Sequence, residues 1–153
     1  GDGLVFLYPS GEVSLAFRQQ LTEFVEAGGH VLIVDSPTNT KSTANTLLHP
    51  FDLQIERSTQ LAGRLETPEG WPAGVVVETA SEVRGGDPII RVAGHAVAAT
   101  THFGAGTITV IGFGSRFTDV KMGVIGDVIP DVSLRNVYEL EFQLLRSILS
   151  DAL

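Results

Sequence analysis

Two carboxylates of this chain stand where an α/β sheet usually does its chemistry. Asp35 follows the apolar run His30–Val34, and Asp119 follows a second run, Thr107–Phe113. Both runs read as central strands, and open α/β sheets place ligands beyond the carboxyl ends of such strands. With hydroxyls from Ser36, Thr38 or Ser115, the pair could hold a hard cation or divide general acid and base work between them. The same two residues also suit a plainer task, capping turns and helices. Asp35-Ser36-Pro37-Thr38 lacks the second serine of an Asp-x-Ser-x-Ser metal motif. No metal or other cofactor is therefore expected.

Ser36 would need a positioned base to act as a nucleophile. His30 opens a strand, His49 precedes a proline at a helix end, and His95 and His102 lie in or beside a hairpin. None falls at the edge that carries Ser36, so Ser36 reads as a turn former. Arg116 could clamp a phosphate or carboxylate in bidentate fashion, or pair with Asp119 or Asp127. Gly104-Ala105-Gly106 precedes a strand and Gly112-Phe113-Gly114 leads into no immediate helix, so neither fits a dinucleotide fingerprint. The absence of cysteine removes disulfides, thiolate metal sites and any thiol nucleophile.

The elements that must position these residues follow from periodicity. Leu4–Tyr8 is a strand closed by Pro9-Ser10-Gly11. From Glu12 to Ala27 the period is helical, with Phe17, Leu21, Phe24 and Val25 on one face and Gly28-Gly29 as the stop. His30–Val34 then completes a βαβ unit, whose two strands should pair in parallel. A polar stretch, Asp35–Asn45, leads to a short helix over Thr43–His49, with Ser42 or Thr43 as N-cap and Pro50 as breaker. Asp52–Arg57 reads as a short strand, and Ser58–Pro88 as an irregular excursion with one or two short strands. Ile89–Val92, Ala96–His102 and Thr107–Phe113 follow as antiparallel hairpins turned at Ala93-Gly94 and Gly104-Ala105-Gly106. Val124–Val132 is a loop, and Ser133–Leu153 a helix with a wide apolar face. The expected architecture is one α/β domain over residues 1–153: a three-layer sandwich with a mixed, mainly parallel sheet and late β-hairpins.

Charge and hydropathy narrow the function classes. The net charge is −8, and the ten Lys and Arg residues are scattered. A phosphate-tracking surface needs them clustered, which argues against nucleic acid. No apolar run approaches the roughly 18–20 residues of a membrane helix, so no membrane insertion by this segment is expected. The start, GDGLVFLYP, has no basic n-region and no cleavage site, and the first Met is Met122. A chain of this kind is expected to begin inside a longer gene product.

Two stretches carry a family resemblance. Leu21–Asn39, LTEFVEAGGHVLIVDSPTN, resembles the helix, Gly-Gly, strand and polar loop of the class I glutamine amidotransferase-like superfamily of flavodoxin-like domains. Gly104–Gly123, GAGTITVIGFGSRFTDVKMG, with Asn136 and the helix Phe142–Leu149, is similar to that superfamily's glycine turn, strand, "FTD" loop and Asn-led terminal helix. The look is that of the non-catalytic branch found in gliding-motility, ABC-transporter-associated and intraflagellar-transport-associated proteins. Catalytic members place a Cys in a glycine-flanked elbow; that position falls at Asp35–Thr38, without a thiol and with Pro37. After the late strand comes Gly112-Phe113-Gly114-Ser115, without His-x-Glu, so glutamine hydrolysis by that mechanism is excluded.

The resemblance implies a non-catalytic ligand-binding or protein-interaction module of a larger protein. Its candidate ligand set is Asp35, Ser36, Thr38, Asn39, Ser115, Arg116, Asp119 and Asn136. The alternative is a hydrolase or carbohydrate-active domain working with the carboxylates at the sheet's C-terminal edge. Superfamily members also carry a strand and helix before the position of Leu4–Tyr8, so the chain is expected to lack that pair. Its first strand should then be uncovered, and self-association or packing on other segments of the parent protein is expected.

Overall fold

The computed structural model describes residues 2–117 and 132–149. The chain opens with strand β1 (Gly3–Leu7), helix α1 (Leu15–Glu26) and strand β2 (His30–Val34). Helix α1 starts later than the apolar period alone suggests, because Ser14 is the cap: its hydroxyl accepts the Phe17 N–H at 3.1 Å. At the other end Gly28, at φ 110°, provides the left-handed stop. Every residue of β2 is buried, which explains why its sequence does not alternate.

β1 and β2 pair in parallel, from Gly3 opposite His30 to Leu7 opposite Val34. β2 then pairs in parallel with the late strand β9 (Gly106–Ile111). β9 turns back antiparallel on β8 (His95–Phe103), and β8 on β7 (Asp87–Val92). The sheet order is β1-β2-β9-β8-β7. This is the expected α/β architecture with a mixed sheet, its junctions divided evenly between the parallel βαβ half and the antiparallel hairpins.

Side-chain alternation sorts the core into two layers. Val31, Ile33, Ile108 and Val110 face Leu21 and Val25 of α1 and Leu47 and Leu48 of α2 (Ala44–Leu48). Leu32, Val34 and Ile111 face Val137, Leu140, Leu144 and Ile148 of the terminal helix α3 (Val132–Leu149). No helix among the described residues is long and apolar enough to cross a membrane.

The middle of the chain is more ordered than the sequence suggests. The excursion Ser58–Pro88 holds three complete strands, β4 (Leu61–Arg64), β5 (Val76–Ala80) and β6 (Val83–Arg84), and the start of β7. The expected strand over Asp52–Arg57 contracts to β3 (Gln54–Ile55), paired with β6. Such short ladders are closed by partners far away in sequence, so local periodicity carries little of them. Pro88 lies in β7, an edge strand whose register shifts at Pro88, and an edge is where a missing N–H is tolerated. β9 ends at Ile111, short of the expected Phe113, and passes into a 3-10 turn, Gly114–Phe117. The expected loop over Val124–Val132 falls outside the described residues except for its last residue, which opens α3.

The exit of β9 admits only glycine at position 112. Its N–H donates to Val97 O and its carbonyl accepts from Ser81 N–H, both at 2.8 Å. A Cβ there would overlap the Ser81 carbonyl oxygen, whereas one at Gly11 would meet open space. Gly112→Ala should therefore cost about 1–3 kcal/mol and Gly11→Ala less than about 0.5. Urea unfolding of the two variants checks the difference.

Candidate functional site

β1, β2 and β9 end side by side at Leu7, Val34 and Ile111. Asp35 is the next residue of β2, and the ladder fixes its backbone. Its N–H donates to Ile111 O at 2.9 Å, and its carbonyl accepts from Gly114 N–H at 2.8 Å. The carboxylate is fully buried. One oxygen accepts the Ser36 N–H and the Asn39 amide, each at 2.9 Å. The other accepts the Ser42 hydroxyl and faces Arg57 Nη1 at 3.6 Å.

Each of these donors also holds something else. Ser42 Oγ accepts the Ala44 N–H at 3.1 Å, so it caps α2 while Thr43 makes no side-chain cap bond. The Asn39 amide also donates to Pro9 O at 3.1 Å, which also accepts the Thr43 N–H at 2.8 Å. Arg57 donates to Ser36 O at 3.4 Å and to Asn39 O. Ser36 and Thr38 share a hydrogen bond between hydroxyls at 2.5 Å, and Ser36 Oγ accepts the Thr38 N–H. Beside them Tyr8, at φ 50°, donates its hydroxyl to Gly114 O at 2.5 Å. Burial, with the nearby Asp35 charge second, holds that phenol above its ordinary range and keeps it a donor.

The structure thus brings Asp35, Ser36, Thr38 and Asn39 into one knot. Ser115 turns elsewhere, its hydroxyl donating to Thr79 O at 3.3 Å. Arg116 lies in the 3-10 turn, and its side chain and Asp119 lie outside the described residues. Asn136 is half-buried on α3, where a Cβ added at Gly74 would meet its amide nitrogen at 3.5 Å. It neighbours the loop before β5. Three members of the knot escape sequence reasoning as site residues: Tyr8, Ser42 and Arg57. Ser42 gives a signal as a cap, but nothing local links Tyr8 or Arg57 to Asp35.

His30 and His102 are placed away from Ser36. His30 Nδ1 bonds Thr107 Oγ1 at 2.9 Å, and the pairing register puts His102 in the same row, at the N-terminal end of β2. The length of β2 alone separates that row from Ser36 by about 17 Å. His95 bonds Glu82 at 2.5 Å on the surface. Among the described residues no group of three His, Cys, Asp or Glu could hold a metal ion.

A second feature lies on the α3 side of β1. A groove of about 220 Å³ is floored by Val5, Leu7 and Val34 and walled by Glu141 and Leu145. Val5 is 51% exposed and Leu7 66%. Burial raises the Glu141 carboxyl above its ordinary range.

The knot predicts an order of stabilities. Asp35→Ala leaves the donors of Asn39, Ser42 and Arg57 without their acceptor and should cost about 3 kcal/mol. Arg57, a third exposed, can return to water, so Arg57→Ala should cost about 1 kcal/mol. Ser36→Ala should cost no more than about 1 kcal/mol. Denaturant unfolding of the three variants reads the order directly.

Comparison with known proteins adds the family. No curated protein matches the chain in sequence. Among solved structures, the mmIFT52 N-terminal domain superposes with a TM-score of 0.66 at 13% identity, over 94% of this chain and 76% of that one. The cytoplasmic protein STM1381 of Salmonella typhimurium LT2 gives 0.66 at 9%, over 96% and 71%. A cold-adapted β-galactosidase of Rahnella sp. R3 gives 0.56 at 14%, over 72% of this chain, which spans 20% of that enzyme. At such identities the likeness is one of fold. Residues 1–123 match the family described as a domain of unknown function, DUF4350, and the chain belongs to that family.

Proposed function

We propose that the chain is a non-catalytic binding or interaction module of a larger protein. The observation that carries this reading is the state of Asp35. Its carboxylate is buried and saturated by donors from Ser36, Asn39, Ser42 and Arg57. A general acid or base must reach a substrate proton, and a metal ligand must offer a lone pair. This carboxylate offers neither, and its chemistry is spent on holding the loop.

The finer reading is a glutamine amidotransferase-like domain without the catalytic thiol and His-x-Glu. Its support is the βαβ unit, the Gly-Gly stop and the absence of cysteine. On that reading a strand and helix of the parent protein belong beside β1, whose apolar residues stand exposed. Candidate partners are therefore other segments of the parent protein or a second copy, met through β1.

Incubation with nitrophenyl esters and nitrophenyl glycosides tests the reading. The expected rates equal those of buffer. Turnover above buffer that disappears in Ser36→Ala, a variant expected to fold, would instead establish the hydrolase alternative.

A further inference from the structure

We infer that His49, Asp52 and Gln54 form a binding site for a primary alkylammonium group, carried by a free aliphatic amine or by a lysine side chain. The site shares no residue with the Asp35 loop or with β1, and it goes beyond the module reading without depending on it.

The chain brings these residues together in two steps. After Leu48 the helix α2 passes into a 3-10 turn, His49–Phe51, with Pro50 near its start. The Asp52 N–H closes the turn on His49 O at 3.2 Å, and residues three apart in such a turn stand on one side. Two residues on, Gln54 pairs with Arg84 in the β3–β6 ladder. Ile55 and Val83, the next pair of that ladder, are buried, so Gln54 and Arg84 point the other way. The Asn45 side chain accepts the Ile55 N–H at 2.7 Å and donates to Ile55 O at 3.0 Å, which fixes β3 against α2. A Cβ added at Gly85 would overlap the Asp52 carbonyl oxygen, so the two walls meet backbone to backbone. Between them lies an open pocket of about 450 Å³ lined by these side chains.

The polar groups of the pocket are unspent. Among the described residues no hydrogen bond or ion pair reaches the side chains of His49, Asp52 or Gln54. Asp52 also stands at φ 56°, a left-handed conformation that an aspartate side chain can support by bonding locally. Its carboxylate makes no such bond among these residues. Asp35 is saturated; Asp52 is open.

Charge selects a cation. Arg84 is engaged by Glu56 at 3.4 Å and by Glu82 at 3.1 Å, and His95 bonds the other oxygen of Glu82 at 2.5 Å. With Asp52 the surroundings carry three carboxylates, more than Arg84 and His95 can balance, which disfavours an anion. The acceptors then select an ammonium. His49 and Asp52 fall short of the three protein ligands of a metal site, and the pocket is far larger than one ion. A primary ammonium carries three donors, and Asp52, Gln54 Oε1 and a ring nitrogen of His49 offer an acceptor to each. The remaining volume takes the alkyl chain, with Leu53 in the wall.

Proton–nitrogen NMR of residues 1–153 tests the inference, with cadaverine as the probe at about pH 7.5, where an ordinary imidazole is mainly neutral. Saturable shifts of the Asp52, Gln54 and Gly85 amides, fitted by one site, are expected. The bis-trimethylammonium analogue has the same charge and no N–H donor, and should bind at least tenfold more weakly. Asn tolerates the left-handed conformation, so Asp52→Asn should keep its dispersed spectrum and lose at least tenfold in affinity. Glu69→Gln removes the same charge from an exposed loop and should bind within about twofold of the unaltered chain. Nα-acetyl-lysine amide is the second probe: tighter binding than cadaverine assigns a lysine side chain and weaker binding a free amine, and either supports the site. No saturable shift with either probe, equal affinity for the trimethylated analogue, or equal affinity in folded Asp52→Asn overturns it. Tighter saturation of the same amides by Zn²⁺ than by cadaverine also overturns it, in favour of a metal ion. Each of these failures leaves the module reading standing, which only turnover of the esters or glycosides removes.

Discussion

A carboxylate can be kept charged inside a protein only if donors replace the water it gave up, and Asp35 obtains its replacements from several parts of the chain. The Ser36 N–H and the Asn39 amide come from its own loop, the Ser42 hydroxyl from the entry of α2, and the guanidinium from Arg57 beyond β3. The strength of charge-assisted bonds makes this arrangement cooperative, because each donor is positioned by the others. Asn39 reaches on to Pro9, just beyond β1, and Ser42 to the first turn of α2. The loop after β2 is therefore a junction of four segments, and Asp35, Asn39 and Ser42 spend their polar groups on internal hydrogen bonds.

The opposite end of the parallel strands depends on close approach instead of charge. A Cβ at Gly106 would overlap the carbonyl oxygens of Val25 and Gly29, so β9 enters the sheet against the end of α1. The Ala105 N–H donates to Glu26 O at 3.0 Å and the Thr107 N–H to Gly29 O at 3.2 Å, satisfying carbonyls where α1 ends. The Gly-Ala-Gly that superficially suggests a nucleotide loop serves this helix-to-strand contact. Function and packing use glycine for the same reason, the absence of a Cβ, and only the neighbouring element tells them apart.

The legible parts of this fold are those whose signal lies within one element. His30–Val34 and Thr107–Ile111 are buried throughout and rich in β-branched residues because both faces of the sheet are covered, and glycine turns bound them. The two-residue ladder of β3 and β6 has no such signal, since Gln54 and Ile55 gain their strand character from Arg84 and Val83. The site divides along the same line. Asp35, Ser36, Thr38 and Asn39 are contiguous in sequence and do assemble. Tyr8 and Arg57 join them only through tertiary structure, and they turn an apparent ligand group into a clamp. Asp35 was visible from its position after a strand, but its saturation was not, because saturation is a property of its partners.

The uncovered first strand follows from the widths of the layers. Packed helices stand 8–10 Å apart, whereas strands are spaced by about 4.8 Å, so one helix shields about two strands. α3 shields β2 and β9 through Leu32, Val34 and Ile111 and leaves the same face of β1 at the margin of its reach. Glu141 sits at that margin, dry enough that burial raises its pKa but not paired with a described cation. Its folded-state pKa lies above the unfolded one, so the native state holds the proton more tightly. Stability from this group is present at low pH and falls as pH rises from the ordinary glutamate range through the raised one. A cation placed beside Glu141 reverses that sign by favouring the charged form. The carboxylate that opposes folding at neutral pH in the uncovered domain would then favour the covered one, coupling the state of the edge to the charge of whatever lies on it.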